Sequence, residues 1–226
     1  MIIVTGASRG IGLAISNRLI ENNEEVLGIS RNAQSLNFET KSLDVTDFKS
    51  IKNLSDEIRL SGRKVKAVIN AAGIASMNLA LMANPSTSVN LVNVNFLGTV
   101  YSCQTFGSLL VRNGGGSIIN FSTIAAAIHL EGESIYAATK AAVENYSKTF
   151  AKELSKFNVR VNCIAPGPIQ TDLLRGVTED QITKIVNSQV IPRIFEKDDV
   201  ADLVELLLDS RAKSLTGQVF HVGGVC

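Results

Sequence analysis

Short apolar runs alternate with longer amphipathic segments along the whole chain. The runs Ile2–Val4, Glu25–Ser30, Lys41–Asp44, Ala67–Ile69, Ser117–Phe121, Val159–Ile164 and Gln218–Val222 have the length of strands. Most read as strands buried on both faces. Between them, Gly10–Asn22, Asp47–Leu60, Ser88–Arg112, Ser134–Phe157 and Asp198–Leu208 carry apolar residues at helical spacing, and Asp47 is placed to cap its helix. This alternation predicts an α/β fold: a doubly wound parallel sheet of about seven strands with helices on both faces. The glycine cluster Gly114–Gly116 reads as a helix-to-strand turn. The interval from about 170 to 197 has the weakest pattern. Ligands in open α/β sheets bind beyond the carboxyl ends of the strands, so this interval, following the Val159–Ile164 strand, is the expected substrate lid. Its apolar residues Leu173, Leu174, Val177, Ile182, Ile185 and Val186 suit either a tolerant substrate wall or the docking of the lid on the core.

Composition narrows the function classes. With 226 residues, 45% of them apolar, the chain suits a single domain over residues 1–226. The formal net charge is +1 and the charges are interleaved, which leaves no electrostatic footprint for nucleic acid. The apolar run of MIIVTGASRG is too short for a signal-peptide core, and no stretch approaches the roughly 20 apolar residues of a membrane span. A cytoplasmic protein with no membrane partner is expected. Cys103, Cys163 and Cys226 are odd in number and widely separated, and only His129 and His221 accompany them. Reduced thiols and no metal site are expected, with Cys163 buried in a strand.

The first strand leads directly into Thr5-Gly6-Ala7-Ser8-Arg9-Gly10-Ile11-Gly12, which opens a helix. Free N–H groups and the helix dipole at such a turn suit a pyrophosphate, so Gly6, Ser8, Arg9, Gly10, Ile11 and Gly12 are candidate dinucleotide contacts. The G-x-x-x-G-x-G spacing departs from G-x-G-x-x-G. About twenty positions on, where an acidic residue would hold a ribose 2′-hydroxyl, the chain has Ser30 and then Arg31. Arg31 and Arg9 suit a 2′-phosphate instead, which favours NADP(H) over NAD(H).

Tyr136 and Lys140 stand at i and i+4, on one face of a helix. A phenol serving as acid or base near neutral pH needs its phenolate stabilised by roughly 3 to 4 kcal/mol. A lysine about 5 Å away supplies on the order of 3 kcal/mol at an effective dielectric of about 20. Tyr136 is thus the candidate proton-transferring residue.

The ordered segments TGASRGIG from Thr5, NAAG from Asn70, YAATK from Tyr136 and PGPIQTD from Pro166 resemble the short-chain dehydrogenase/reductase family nearly end to end. The resemblance implies a Rossmann-like fold and hydride transfer between a nicotinamide and a carbonyl or alcohol carbon. It implies that Asp44 and Val45 contact adenine, and that Ala71, Ala72 and Gly73 let the backbone approach the cofactor. It gives Asn70 two readings, a cofactor contact and a tie between central strands. Asn95 would hold a water linking Lys140 to a proton relay, and Lys140 would also bind ribose. The family's serine, thirteen residues before the tyrosine, is Thr123 here, with Ser122 beside it. Thr123 is the expected carbonyl-polarising hydroxyl. In the turn after the Val159–Ile164 strand, Pro166 and Gly167 are expected cofactor contacts, with Ile169 and Thr171 at the nicotinamide carboxamide, although the prolines also suit a plain turn. The pattern is nearest to 3-oxoacyl-[acyl-carrier-protein] reductases, although Phe157 stands where carrier-dependent members are often basic. The substrate would be a small carbonyl or alcohol, or a carrier-bound acyl group. Alcohol, sugar or steroid dehydrogenases and a non-catalytic nucleotide sensor are the alternatives, and a homotetramer or homodimer is expected. His129, Glu131 and Glu133 precede the tyrosine and read as solvated loop residues more readily than as substrate contacts.

Overall fold

The protein is described here by a computed structural model covering residues 1–32, 36–170 and 179–225. Seven parallel strands form one sheet: β1 (Ile2–Thr5), β2 (Val26–Ser30), β3 (Glu39–Ser42), β4 (Ala67–Asn70), β5 (Gly116–Phe121), β6 (Val159–Pro166) and β7 (Val219–Val222). Their order, β3-β2-β1-β4-β5-β6-β7, reverses between β1 and β4. At that reversal the connections leave to opposite sides and open a crevice at the carboxyl ends of the strands.

Side-chain alternation along the strands divides the core in two. Ile3, Leu27, Val68, Ile118 and Val161 face one layer, made by α2 (Phe48–Leu60), α4 (Gly98–Arg112) and α6 (Ser134–Leu154). Ile2, Val4, Val26, Ile69, Ile119 and Ile164 face the other, made by α1 (Gly10–Glu21) and α8 (Lys197–Leu208). Both layers close over side chains nearly removed from water, among them Phe106 on one face and Ile15 on the other. Asp47 caps α2 by accepting from the Ser50 N–H.

Three local features differ from the sequence expectation. The predicted helix Ser88–Arg112 is α3 (Pro85–Leu91), a π-helical turn over Val92–Leu97, and α4. The edge strand β3 starts two residues before its predicted start at Lys41, because its half-exposed ETKS pattern gives little burial signal. The interval 170–197 contains a regular helix, α7 (Glu179–Asn187), whose Ile185 is buried. Leu173, Leu174, Val177 and Thr171 lie outside the described residues. A further short helix, α5 (Ala125–Ile128), follows β5.

Candidate active site

The crevice holds two cavities that share Ile11, Ala71, Gly73 and Ile74, so they are two ends of one cleft. The larger, about 600 Å³, is lined by Gly6, Ser8, Arg9, Gly10, Ile11 and Gly12 after β1, and by Ser30 and Arg31 at the end of β2. Asp44 and Val45 after β3 and Ala71, Ala72 and Gly73 after β4 complete it. Helix α1 starts without a side-chain cap from Arg9, which leaves its first-turn N–H groups available to an anion at the positive end of the helix dipole. Gly10 has a φ of 58°, and a Cβ there would meet nothing within 4 Å. Gly12 is a glycine for the opposite reason, since its Cβ would stand 2.4 Å from the Gly6 carbonyl oxygen. The close packing of the turn and the clearance at Gly10 fit a pyrophosphate laid across the helix N-terminus.

Arg9 and Arg31 are exposed at the rim of this cavity. Ser42 Oγ donates to the Arg31 carbonyl at 2.7 Å, and Ser30 Oγ to that of Asn32 at 2.9 Å, fixing the backbone that carries Arg31. Asp44 Oδ1 accepts from the N–H and hydroxyl of Thr46, closing a local turn. Sequence reasoning missed Gln170 and Lys197, which also line this cavity. Lys197 opens α8, and nothing in its local sequence marks it as facing the β1 turn.

Asn70 lies away from both cavities. Its Nδ2 donates to Asn120 Oδ1 at 2.8 Å, across the register pair that joins β4 to β5, and Asn120 Nδ2 in turn donates to Ser147 Oγ at 2.8 Å. Asn70 thus ties strands together. Of its two expected readings, this geometry fits the tie between central strands, because the Asn70 side chain projects within the sheet–helix layer.

The smaller cavity, about 150 Å³, gathers Thr123 after β5, Glu133, Tyr136 and Lys140 from the start of α6, and Pro166, Gly167 and Ile169 after β6. Burial raises the Tyr136 phenol above its usual pKa, the Glu133 charge raises it further, and a hydrogen bond with Thr123 acts in the opposite sense. Ser122 is not free for this work, because its hydroxyl donates to Glu144 Oε1 at 2.6 Å. Lys140 is buried, and desolvation pushes its ammonium down to about 8. Its Nζ donates to the Phe121 carbonyl at 3.0 Å, so the lysine meets the end of β5 instead of the phenol.

Asn95 sits fully buried in the π-helical turn. Its Oδ1 accepts from the Ile74 N–H at 2.8 Å, while its Nδ2 donates to the Ile74 carbonyl at 2.9 Å and to Thr139 Oγ1 at 3.2 Å. Its side-chain amide clamps the loop after β4. A Cβ on Gly73 would come within 3.3 Å of Asn95 Oδ1 and 3.4 Å of Lys140 Nζ, which places the amide and the ammonium together against the open face of this glycine. π-Helical turns of this kind recur at functional sites.

His129 and Glu131 are exposed, as their loop position suggests, but Glu133 lines the cavity and burial pushes its carboxyl up to about 7. The i, i+3, i+7 spacing of Glu133, Tyr136 and Lys140 is the sequence signal that could have shown this. Cys103 and Cys163 are buried free thiols pushed up to about 12 by desolvation, and Cys226 lies outside the described residues. No helix among the described residues is long and apolar enough to cross a membrane.

Comparison with known proteins agrees with this geometry. Residues 6–225 match a family model described as enoyl-(acyl carrier protein) reductase. Carbonyl reductase family member 4 of Xenopus laevis is 34% identical over 229 residues, covering 98% of this chain and 95% of the relative. The 3-oxoacyl-[acyl-carrier-protein] reductase FabG of Staphylococcus epidermidis is 31% identical over 235 residues, covering 98% and 96%. The ligand-free aldohexose dehydrogenase of Thermoplasma acidophilum superposes with a TM-score of 0.90 at 28% identity, covering 99% of this chain and 92% of that one. With a seven-stranded sheet, a glycine turn at its switch point and a tyrosine–lysine helix beside it, the chain belongs to the short-chain dehydrogenase/reductase family of nicotinamide-dependent oxidoreductases.

Proposed function

We propose that the protein is an NADP(H)-dependent reductase of a carbonyl group, with Tyr136 as the proton donor. The observation that carries this reading is the convergence of Thr123, Tyr136 and Lys140 on one small cavity continuous with the glycine-lined one. When bound, the nicotinamide supplies the hydride to the carbonyl carbon. The Tyr136 Oη holds the proton that the new alkoxide takes. The Thr123 hydroxyl, within hydrogen-bonding reach of that phenol, donates to the carbonyl oxygen and stabilises charge developing there. Lys140 places a positive charge in the same wall and is the group offered to the ribose. Asn95 holds the loop that carries Gly73 against Lys140. Gly167 and Ile169 line the nicotinamide end of the cleft, with Pro166 holding the strand end through its pairing with Val222.

The names of two relatives, a carbonyl reductase and a 3-oxoacyl-[acyl-carrier-protein] reductase, support a carbonyl substrate, including a 3-oxoacyl thioester. Phe157 is exposed beneath the Lys156 ammonium, 5.1 Å from its ring centroid, and an apolar residue there favours a free substrate over a carrier-bound one. Exposed Leu81, Met82, Val89 and Val92, beside and on α3, support assembly as a homotetramer or homodimer.

The test is fluorescence titration with NADPH and NADH, followed by a panel of 3-oxoacyl thioesters and simple ketones at saturating cofactor. Arg31→Ala is expected to weaken NADPH binding about tenfold or more, the loss of a charge-assisted contact, and to leave NADH binding nearly unchanged. Equal losses for both nucleotides would remove the 2′-phosphate reading, and binding of neither would remove the reductase.

The pH profile follows from the same groups. The raised Tyr136 is protonated throughout the neutral range, which suits reduction. The reduction rate is expected to stay level up to about pH 8 and to fall above it, as Lys140 loses its proton. Oxidation of the corresponding alcohol needs the phenolate and is expected to rise with pH. Initial rates in both directions across the range check this, and a reduction rate that climbs with pH would contradict the donor role.

A further inference from the structure

Among the described residues, the substrate end of the cleft is apolar except for its reacting groups, Ser122, whose hydroxyl is taken by Glu144, and one further side chain. Ile74, Ile128, Leu130 and Ile185 form its walls, and the Glu133 carboxyl lies among them. Glu133 occupies the N-cap position of α6, where an acidic side chain would ordinarily accept from the first-turn N–H groups. It makes no such capping bond, although its main-chain carbonyl accepts from the Ala137 N–H at 2.7 Å. The side chain instead shares a helix face with Tyr136 and Lys140 and enters the cavity. Among the described residues the cation lining that cavity is Lys140, and it gives its Nζ to the Phe121 carbonyl. A carboxyl on an apolar wall is costly without a hydrogen-bond or charge partner, and the Glu133 charge also opposes any charge on the Tyr136 phenolate.

We infer that Glu133 sets the substrate preference: its carboxyl receives an ammonium or hydroxyl carried beside the reacting carbon and turns away substrates bearing a carboxylate there. This rests on the reading of the cleft as a carbonyl reductase site. A donor seated on Glu133 satisfies the carboxyl and, when cationic, offsets the charge that works against Tyr136. The substrate class that follows is an amino- or hydroxy-substituted ketone, or the matching alcohol, small enough for the apolar walls.

The test is a binding series, so that it does not depend on turnover. Cyclohexanol, trans-2-aminocyclohexanol and trans-2-hydroxycyclohexanecarboxylate are titrated calorimetrically, with and without saturating NADPH, into wild-type protein, Glu133→Gln and Glu133→Lys. In the wild type the amino alcohol is expected to bind about tenfold or more tightly than cyclohexanol, and the carboxylate most weakly. The preference for the amino alcohol should shrink severalfold in Glu133→Gln, and the order of the charged probes should invert in Glu133→Lys. No preference in the wild type, or one that survives both substitutions, overturns the inference. Tyr136→Phe separates the two readings: if it leaves ketone reduction intact, the proposed chemistry fails, while the binding order still reports on Glu133.

Discussion

Replacing Tyr136 with phenylalanine is expected to lower kcat/KM for carbonyl reduction by about 10²- to 10⁴-fold, the usual contribution of a positioned general acid, while NADPH still binds. The substitution keeps the half-buried ring and removes only the hydroxyl that meets Thr123. The loss should appear in kcat at saturating ketone, because the proton is delivered as the alkoxide forms and not when substrate binds. Stopped-flow measurement of NADPH oxidation checks this. A loss confined to KM would make Tyr136 a substrate contact, and no loss would move the proton to the Thr123 hydroxyl or to solvent.

The second large effect lies in the β1 turn. Gly12→Ala puts a methyl group 2.4 Å from the Gly6 carbonyl oxygen and 2.8 Å from its carbon, and neither backbone atom has room to retreat. The Gly6 N–H is held by the Ile29 carbonyl at 2.8 Å, and the other side of Gly6 lies against the Ala72 backbone. The turn and the start of α1 must shift together, at a cost of about 3 kcal/mol, which lowers Tm by roughly 6 to 12 °C for a domain of this size. Nucleotide affinity should fall in the same variant. Thermal unfolding followed by circular dichroism, with and without NADPH, measures both. Gly10→Ala is the control: its methyl meets no neighbour, so it carries only the smaller strain of a left-handed backbone at a non-glycine residue.

The parallel sheet was legible because most of its strands are apolar at consecutive positions, as Ile2–Val4 and Ala67–Ile69 show, and because amphipathic helices separate them. The π-helical turn at Val92–Leu97 was not legible. It depends on the grip of Asn95 on Ile74, twenty-one residues away, and local spacing there reads as an ordinary helix. For Asn70 the two readings could not be separated from sequence, since choosing between them requires the register that sets it opposite Asn120. Glu133 was misjudged more instructively. The sequence already begins this helix at Ser134, but a glutamate just before it resembles a solvated loop residue, because the apolar walls it faces, Ile74 and Ile185, come from segments distant in sequence. The preference for Thr123 over Ser122 rested on counting back from the tyrosine, and Glu144 supplies the physical reason that Ser122 is engaged elsewhere.

The walls of the substrate end have a different ancestry in the fold from its reacting groups. Ile74, Ile128, Leu130 and Ile185 belong to a connecting loop, the one-turn helix α5, the segment before α6, and α7, none of them part of the sheet. Tyr136 and Lys140 hang from a helix that Asn120 and Ser147 fasten to β5. Natural selection can therefore reshape these walls through a few changes in peripheral segments, leaving Tyr136 and Lys140 where the sheet puts them. A lineage carrying this scaffold can diversify its metabolism without relearning how to fold.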